Sequence, residues 1–240
     1  MTTSRQTFSW RSLVPHIAAL VAIALCLRLA LWQVDRAGEK SELMTLWETS
    51  EPVSLLELGP GIAGFSPASG AGTFDGTRII LLDNQVRNNH PGVHVFSPFI
   101  PEDGGKIILV NRGWQPWLRR SGEWPAFETP RGQVDISGRL SEPPRVGLQL
   151  GDEPPIDSDH WPSLMTYFDM DRLRDVFGDP LHDQVLLLDP DHPAHLSGDA
   201  WAPINMGPEK HMGYAFQWVS IGSAILIIWL VLTFRNFRRR

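Results

Sequence analysis

Residues 214–234 read YAFQWVSIGSAILIIWLVLTF, 21 positions without a charged side chain. A helix rises about 1.5 Å per residue, so ~20 residues cross the ~30 Å hydrocarbon core of a bilayer. The stretch therefore predicts a transmembrane helix over 214–234. A second candidate lies near the other end. From Leu13 to Trp32 the only strongly polar side chains are His16 and Arg28. This predicts a first span over 13–33, with Arg28 snorkelling toward the headgroups or meeting a bound anion. A cleaved signal peptide competes for that segment. The apolar run is long for one, and the small-x-small pair Ala22-x-Ala24 lies inside it. Leu25 is too large for a lipoprotein cleavage site before Cys26. An uncleaved anchor fits better, with Cys26 as a small packing residue.

Averages hide this organisation. The 240 residues hold 21 Lys and Arg against 27 Asp and Glu, a net charge of −6, with a mean hydropathy of −0.13. They describe one mildly acidic domain. They exclude a collagen, a long coiled coil, a wholly disordered chain and a strongly basic nucleic-acid binder. One Cys excludes a disulfide framework, a Cys-based metal cage and a paired-Cys dinuclear copper centre. Every acidic residue falls between Asp35 and Glu209, so the middle segment carries −13 and the two ends +7.

Arg5 and Arg11 precede the first span, and Arg235, Arg238, Arg239 and Arg240 follow the second. The positive-inside rule then puts both termini in the cytoplasm. The expected segments are 1–12 (cytoplasmic), 13–33 (span), 34–213 (outer domain), 214–234 (span) and 235–240 (basic tail). The outer domain is periplasmic in a bacterial inner membrane, or faces the intermembrane space from a mitochondrial one. Part of the excess of ten Trp over two Tyr reads as an interface belt, from Trp10, Trp32, Trp218 and Trp229.

Residues 34–213 hold 20 Gly and 19 Pro, which favours short strands joined by turns. Strands are expected over Val53–Leu58, Arg78–Leu82, Val93–Phe96, Lys106–Asn111, Val134–Leu140 and Val185–Leu188, with a turn at Gly104-Gly105. Asp169–Phe177 reads as one helix, capped by Asp169 and stopped by Gly178. The first helix is expected to run on past the membrane toward Leu46, weakened at Gly38. The predicted class is a membrane protein whose two helices flank an outer α+β domain, mostly an antiparallel sheet or a partly closed barrel. The helices that βαβ crossovers need are missing.

Some motifs do not survive inspection. Gly59-Pro-Gly61-Ile-Ala-Gly64 has G-x-G-x-x-G spacing, but Pro67, Gly70 and Gly72 forbid the helix a dinucleotide site requires. Asp189-Pro-Asp191-His192-x-x-His195 has metal-ligand residue types, yet Pro193 argues for a turn-rich loop. The acidic stretch 152–199 looks solubilising, and no spacing picks out a general acid and base.

The outer ends of the spans are more informative. His211, Tyr214 and Trp218 share a helical stripe, as do Trp32 and Arg36 beside Gln33. If the helices pack together, an imidazole, several aromatic rings, a guanidinium and an amide converge. Such a set suits a flat apolar molecule with carboxylates, because imidazole ligates iron and Arg pairs with carboxylates. The plainer reading is an interface belt with an exposed His.

Five blocks in order carry a family resemblance: Leu31-Trp-Gln-Val-x-Arg36, Gly72-Thr-Phe-Asp75, Gly92-Val-His-Val-Phe-Ser-Pro98, Ile108-Leu-Val-Asn-Arg-Gly-Trp114, and His211-x-x-Tyr214-x-x-x-Trp218. They resemble the Surfeit locus protein 1 family from about Leu31 to Trp218. The resemblance implies a non-enzymatic assembly factor of cytochrome c oxidase, acting with the haem a synthesis and insertion machinery and with oxidase subunit I. It also implies haem a as the cofactor, bound transiently, with His211 as axial ligand. Trp32, Gln33, Arg36, Tyr214, Trp218, Arg112 and Trp114 are the other candidate contacts. Arg112 and Trp114 have a second reading, in which the Asn-Arg-Gly turn organises the domain around a positive-φ Gly113. Two further functions stay open: an interaction protein that stabilises subunit I without a cofactor, and a membrane-anchored enzyme of the outer compartment.

Overall fold

A computed structural model describes residues 13–59, 62, 64–118, 122–145, 149, 151, 155–178, 181–198, 200–204 and 206–238. The glycine-rich motif at 59–64 and the acidic stretch from 152 fall partly outside these residues. The chain divides into two compact units, 1–45 with 204–240, and 46–203.

The first unit is a pair of long helices, α1 (Val14–Thr49, its last turn belonging to the second unit) and α3 (Pro208–Arg238). Both are long and apolar enough to cross a membrane. Leu20, Val21, Leu25 and Leu31 of α1 and Phe216, Ile227, Ile228 and Val231 of α3 are exposed. Bare apolar faces of this extent mark contact with lipid or a partner. α1 runs through Gly38 without a break and ends 16 residues beyond the expected span limit at 33, and α3 starts six residues before 214.

The second unit is a β-barrel with a satellite sheet. Its strands are β1 (Val53–Ser54), β2 (Pro67–Phe74), β3 (Ile80–Leu82), β4 (Gly92–Pro101), β5 (Ile107–Pro116), β6 (Gln133–Ser141), β7 (Ser163–Met165) and β8 (Leu181–Leu188). The sheet order is β1-β2-β6-β8-β5-β4-β3-β7, and β2 also pairs with β4. That extra pairing closes β2, β6, β8, β5 and β4 into a five-stranded barrel. Only the β5–β8 seam inside it is parallel. β1 adds to β2 and β7 to β3, both parallel.

Alternation along the strands sorts the core. Ile108 and Val110 of β5 join Phe74, Phe99, Ile136, Leu140, Leu186 and Leu188 in one cluster. Leu109, between them, points the other way, to Ile80, Phe96, Leu173 and Phe177. β5 is thus covered on both faces, which explains its unbroken apolar run. Leu173 and Phe177 come from α2 (Met170–Phe177). The Asp169 side chain accepts from the Asp171 and Arg172 amides, and Gly178 ends the helix at φ 80°. Such a cap stabilises a helix by about 1 kcal/mol.

β2 was not among the expected strands. Its sequence, PASGAGTF, holds strand-forming residues only at its end, Thr73 and Phe74, after a run of Pro, Ala, Ser and Gly. Its composition follows from closure: a Cβ at Gly72 would sit 2.3 Å from the Ile100 carbonyl and 2.7 Å from the Phe99 ring. Only glycine lets β2 lie against both β4 and β6 there. β1 is shorter than expected, and β4, β5 and β8 are longer.

Candidate functional site

In the helix pair, the buried positions of α1 are Cys26, Ala30, Gln33 and Ala37, and those of α3 are Ala215 and Gly222. The spacing of four, three and four, facing one of seven, makes a narrow seam of small residues. A Cβ added at Gly222 would stand 3.1 Å from the Cys26 Cβ. Small side chains allow this approach, the usual basis of helix pairing in lipid. Cys26 is therefore a packing residue, as its size suggested.

A polar contact crosses the seam near each end. At one end His211 Nδ1–H donates to Gln33 Oε1 at 2.7 Å. At the other, the Trp229 indole N–H donates to His16 Nδ1 at 2.8 Å. The two pairs leave opposite ring nitrogens protonated. His211 carries its proton on Nδ1, which frees the Nε2 lone pair. An indole N–H can only donate, so His16 must accept on Nδ1 and keep its proton on Nε2.

The expected cluster is partly assembled. Gln33 is 8% exposed and touches His211 directly, and Trp218 lies half-buried one heptad beyond His211 on the same seam. Trp32 and Tyr214 are 48% and 45% exposed on the flanks of their helices. Arg36 pairs with Glu39 on its own helix.

Arg112 and Trp114 belong to the barrel unit. β4 and β5 lose register where Val95 alone lies opposite Arg112 and Gly113. This bulge places Gly113 at φ 110°, as the turn reading expected. Asn111 Oδ1 accepts from the Gly113 amide at 3.1 Å and steadies it. Arg112 is 1% exposed. Its Nε donates to the Ala194 carbonyl at 2.9 Å, Nη1 to the hydroxyls of Thr129 at 3.0 Å and Ser97 at 3.4 Å, and Nη2 to the Glu128 carbonyl. The Phe74 and Phe127 rings flank it at 5.7 and 5.9 Å. Burial pushes its pKa down to about 10, so it stays charged at neutral pH. Trp114 donates its indole N–H to the Gln85 carbonyl at 2.7 Å. Both side chains are committed inside the domain, which fits the organising role better than contact with a cofactor. Phe74, Ser97 and Arg112 come from three separate sequence blocks, and those blocks converge on one buried guanidinium.

Sequence reasoning missed a neighbouring group. His94 Nδ1 lies 3.0 Å from Asn111 Nδ2, whose oxygen is held by Gly113, so His94 accepts there and keeps its proton on Nε2. Burial pushes the His94 pKa down against the opposing effect of Asn111. The Trp201 ring stands 5.9 Å from both His94 and His195. Only the pairing of β4 with β5 could have revealed this cluster.

The loop at 189–195 is a turn. His192 donates from Nε2 to the Asp135 carbonyl at 3.0 Å and accepts the Ala194 amide on Nδ1. Among the described residues no group of three His, Cys, Asp or Glu is placed to hold a metal ion. In the Gly72–Asp75 block, burial pushes the Asp75 carboxyl up. Hydrogen bonds from the Thr77 hydroxyl, the Arg78 guanidinium and the Thr77 amide outweigh that and hold it below the usual range.

Comparison with known proteins covers both units. The chain is 26% identical over 250 residues to Surfeit locus protein 1 of Mus musculus, covering 92% of this chain and 75% of that one. It is 25% identical over 232 residues to Surfeit locus protein 1 of Xenopus tropicalis, covering 84% and 70%. A SURF1-like protein of Caenorhabditis elegans is 24% identical over 153 residues, 62% of this chain. The match spans about half the length of the two nematode relatives, 44% and 49%. The sequence model of the SURF1 family matches residues 20–223, from within α1 through the barrel to Gly222 and Ser223 of α3. With its seam, barrel and bulge all inside that match, the chain belongs to the SURF1 family.

Proposed function

We propose that the chain is a membrane-anchored assembly factor for cytochrome c oxidase, and that it holds haem a through His211 for delivery to oxidase subunit I. Both termini are cytoplasmic in this reading, and the barrel lies outside. Oxidase assembly comes from the family resemblance. The observation that supports cofactor binding is the hydrogen bond from His211 Nδ1–H to the buried Gln33 amide. A metal-bound imidazole almost always donates its second nitrogen to such an acceptor, which fixes the ring and directs the free nitrogen outward. If haem a binds, the free nitrogen of His211 would hold its iron.

The other residues have supporting parts. Gln33 holds the proton on Nδ1 and prevents rotation of the His211 ring. Trp218 closes the seam beside it. The exposed Trp32 and Tyr214 rings offer apolar faces for a flat ligand. Among the described residues Arg36 is held by an exposed pair with Glu39, worth ~0–1 kcal/mol, so a ligand carboxylate can replace Glu39.

The test is co-expression with the haem a pathway and purification in detergent. Wild type is expected to show haem a absorbance and His211→Ala to lose it. Gln33→Leu should bind haem about tenfold more weakly, the usual cost of losing the partner of a ligating His. Absence of haem from the wild type, or full retention by His211→Ala, overturns the ligand assignment. In a deletion strain, slow subunit association with normal oxidase haem content would favour the cofactor-free interaction protein.

A further inference from the structure

The opposite end of the helix pair holds a feature that the haem reading does not use. A cavity of about 560 Å³ opens between α1 and α3, lined by His16, Thr233 and Asn236 on its polar side. Ile225, Ile228 and Leu232 form much of its apolar wall. Its size lies within the range of small-molecule sites, and it has their character: apolar walls with a few convergent polar groups. The His16 ring is fixed by Trp229, with ring centroids 6.0 Å apart in edge-to-face geometry. Because Nδ1 accepts the indole N–H, the remaining nitrogen is a donor, and Thr233 and Asn236 add two more.

Charge selects the occupant. Arg235 and Arg238 lie in the last turn of α3, within a turn of Asn236. No acidic residue occurs in 1–34 or 210–240. Donors in the cavity and cations in the same turn of α3 match a phosphate with ester oxygens, and the apolar wall matches an acyl chain. Basic pockets between helices on the cytoplasmic or matrix side bind anionic headgroups in this way. We propose that this cavity is a binding site for one anionic phospholipid, held by His16 and Asn236 at the ester and phosphate oxygens and by the α3 arginines at its charge. The proposal rests on the membrane-spanning reading of the helices and not on haem binding.

The experiment is native mass spectrometry of the full chain in non-ionic detergent. Phosphatidylglycerol and phosphatidylcholine of equal chain length are added in equal amounts, after alkaline carbonate extraction of the source membranes. One phosphatidylglycerol per chain should be retained about fivefold over phosphatidylcholine, the factor expected from one cation near a phosphate. His16→Leu should abolish retention of this lipid. Asn236→Leu, which leaves the His16–Trp229 pair intact, should reduce it. Equal retention of both lipids by wild type overturns the site. So does an unchanged preference in both variants with loss only in Arg235→Gln/Arg238→Gln, which indicates a general basic belt. Release of the chain by carbonate overturns the membrane reading itself, whereas retention in the pellet without lipid selectivity overturns the lipid site alone.

Discussion

The barrel and the helix pair solve opposite problems with similar residues. In the barrel, large apolar side chains fill the interior, and the guanidinium they enclose is tied to its surroundings. Arg112 has five donors and spends four contacts on carbonyls and hydroxyls. In the helix pair, the large apolar residues face outward and the seam is built from Ala, Gly and Cys with one Gln among them. Burial of apolar area drives assembly in water, while lipid offers no such driving force between helices and leaves close packing and hydrogen bonds to do it. A buried polar contact is therefore indispensable in one unit and a modest adjustment in the other.

The largest test of that contrast is Arg112→Ala. It strands two carbonyls and two hydroxyls in the barrel core, and should cost about 3–5 kcal/mol, as when one partner of a buried charged network is removed. Thermal unfolding of the full chain in detergent, followed by hydrogen exchange of the barrel-strand amides, measures it. A loss below 1 kcal/mol would break the comparison.

Acid should act next, and through the barrel. His94 is held below its ordinary pKa of 6.5 by burial. Between its folded value and 6.5 the unfolded chain binds a proton that the folded one does not. Stability is therefore complete above pH 6.5 and falls as pH drops below it, by at most about 1.4 kcal/mol per pH unit for this group. Denaturant titrations from pH 7.5 to 5 should show that slope, and His94→Gln should flatten it.

The smallest effect belongs to the helix pair. Gln33→Leu removes one interhelical hydrogen bond and should weaken pairing of the haem-free helices by about 0.6 kcal/mol, the average for such bonds in lipid. Steric trapping in micelles reads this directly. A cost near that of Arg112→Ala would mean that the two units obey one rule.

The sequence showed what depends on local pattern. The two apolar runs, the extension of α1, the Asp169 cap and the centres of β4, β5, β6 and β8 were all legible there. β2 was not, because its strand character comes from a neighbour: Gly72 is required by the Phe99 ring, which lies 27 positions away. Barrel closure was hidden for the same reason, since β2 must pair on both edges. At the candidate site, His211 and Gln33 were each legible as residues facing the outer end, but their hydrogen bond depends on which helix faces meet. The role of Arg112 was open between turn and ligand until its donors could be followed to the Ala194 and Glu128 carbonyls.

The bond from Arg112 Nε to the Ala194 carbonyl joins residues 82 apart, and the parallel β5–β8 seam runs over nearly the same separation. Chains emerge from the ribosome at about 5–20 residues per second, so these 82 residues take roughly 4–16 s. Throughout that interval β5 has an open edge and Arg112 lacks its Nε acceptor. The barrel can close only after β8 and the loop behind it have been synthesised. Folding of the barrel unit thus waits on residues 181–194, and a chain arrested before Ala194 is left as an open sheet for proteolysis.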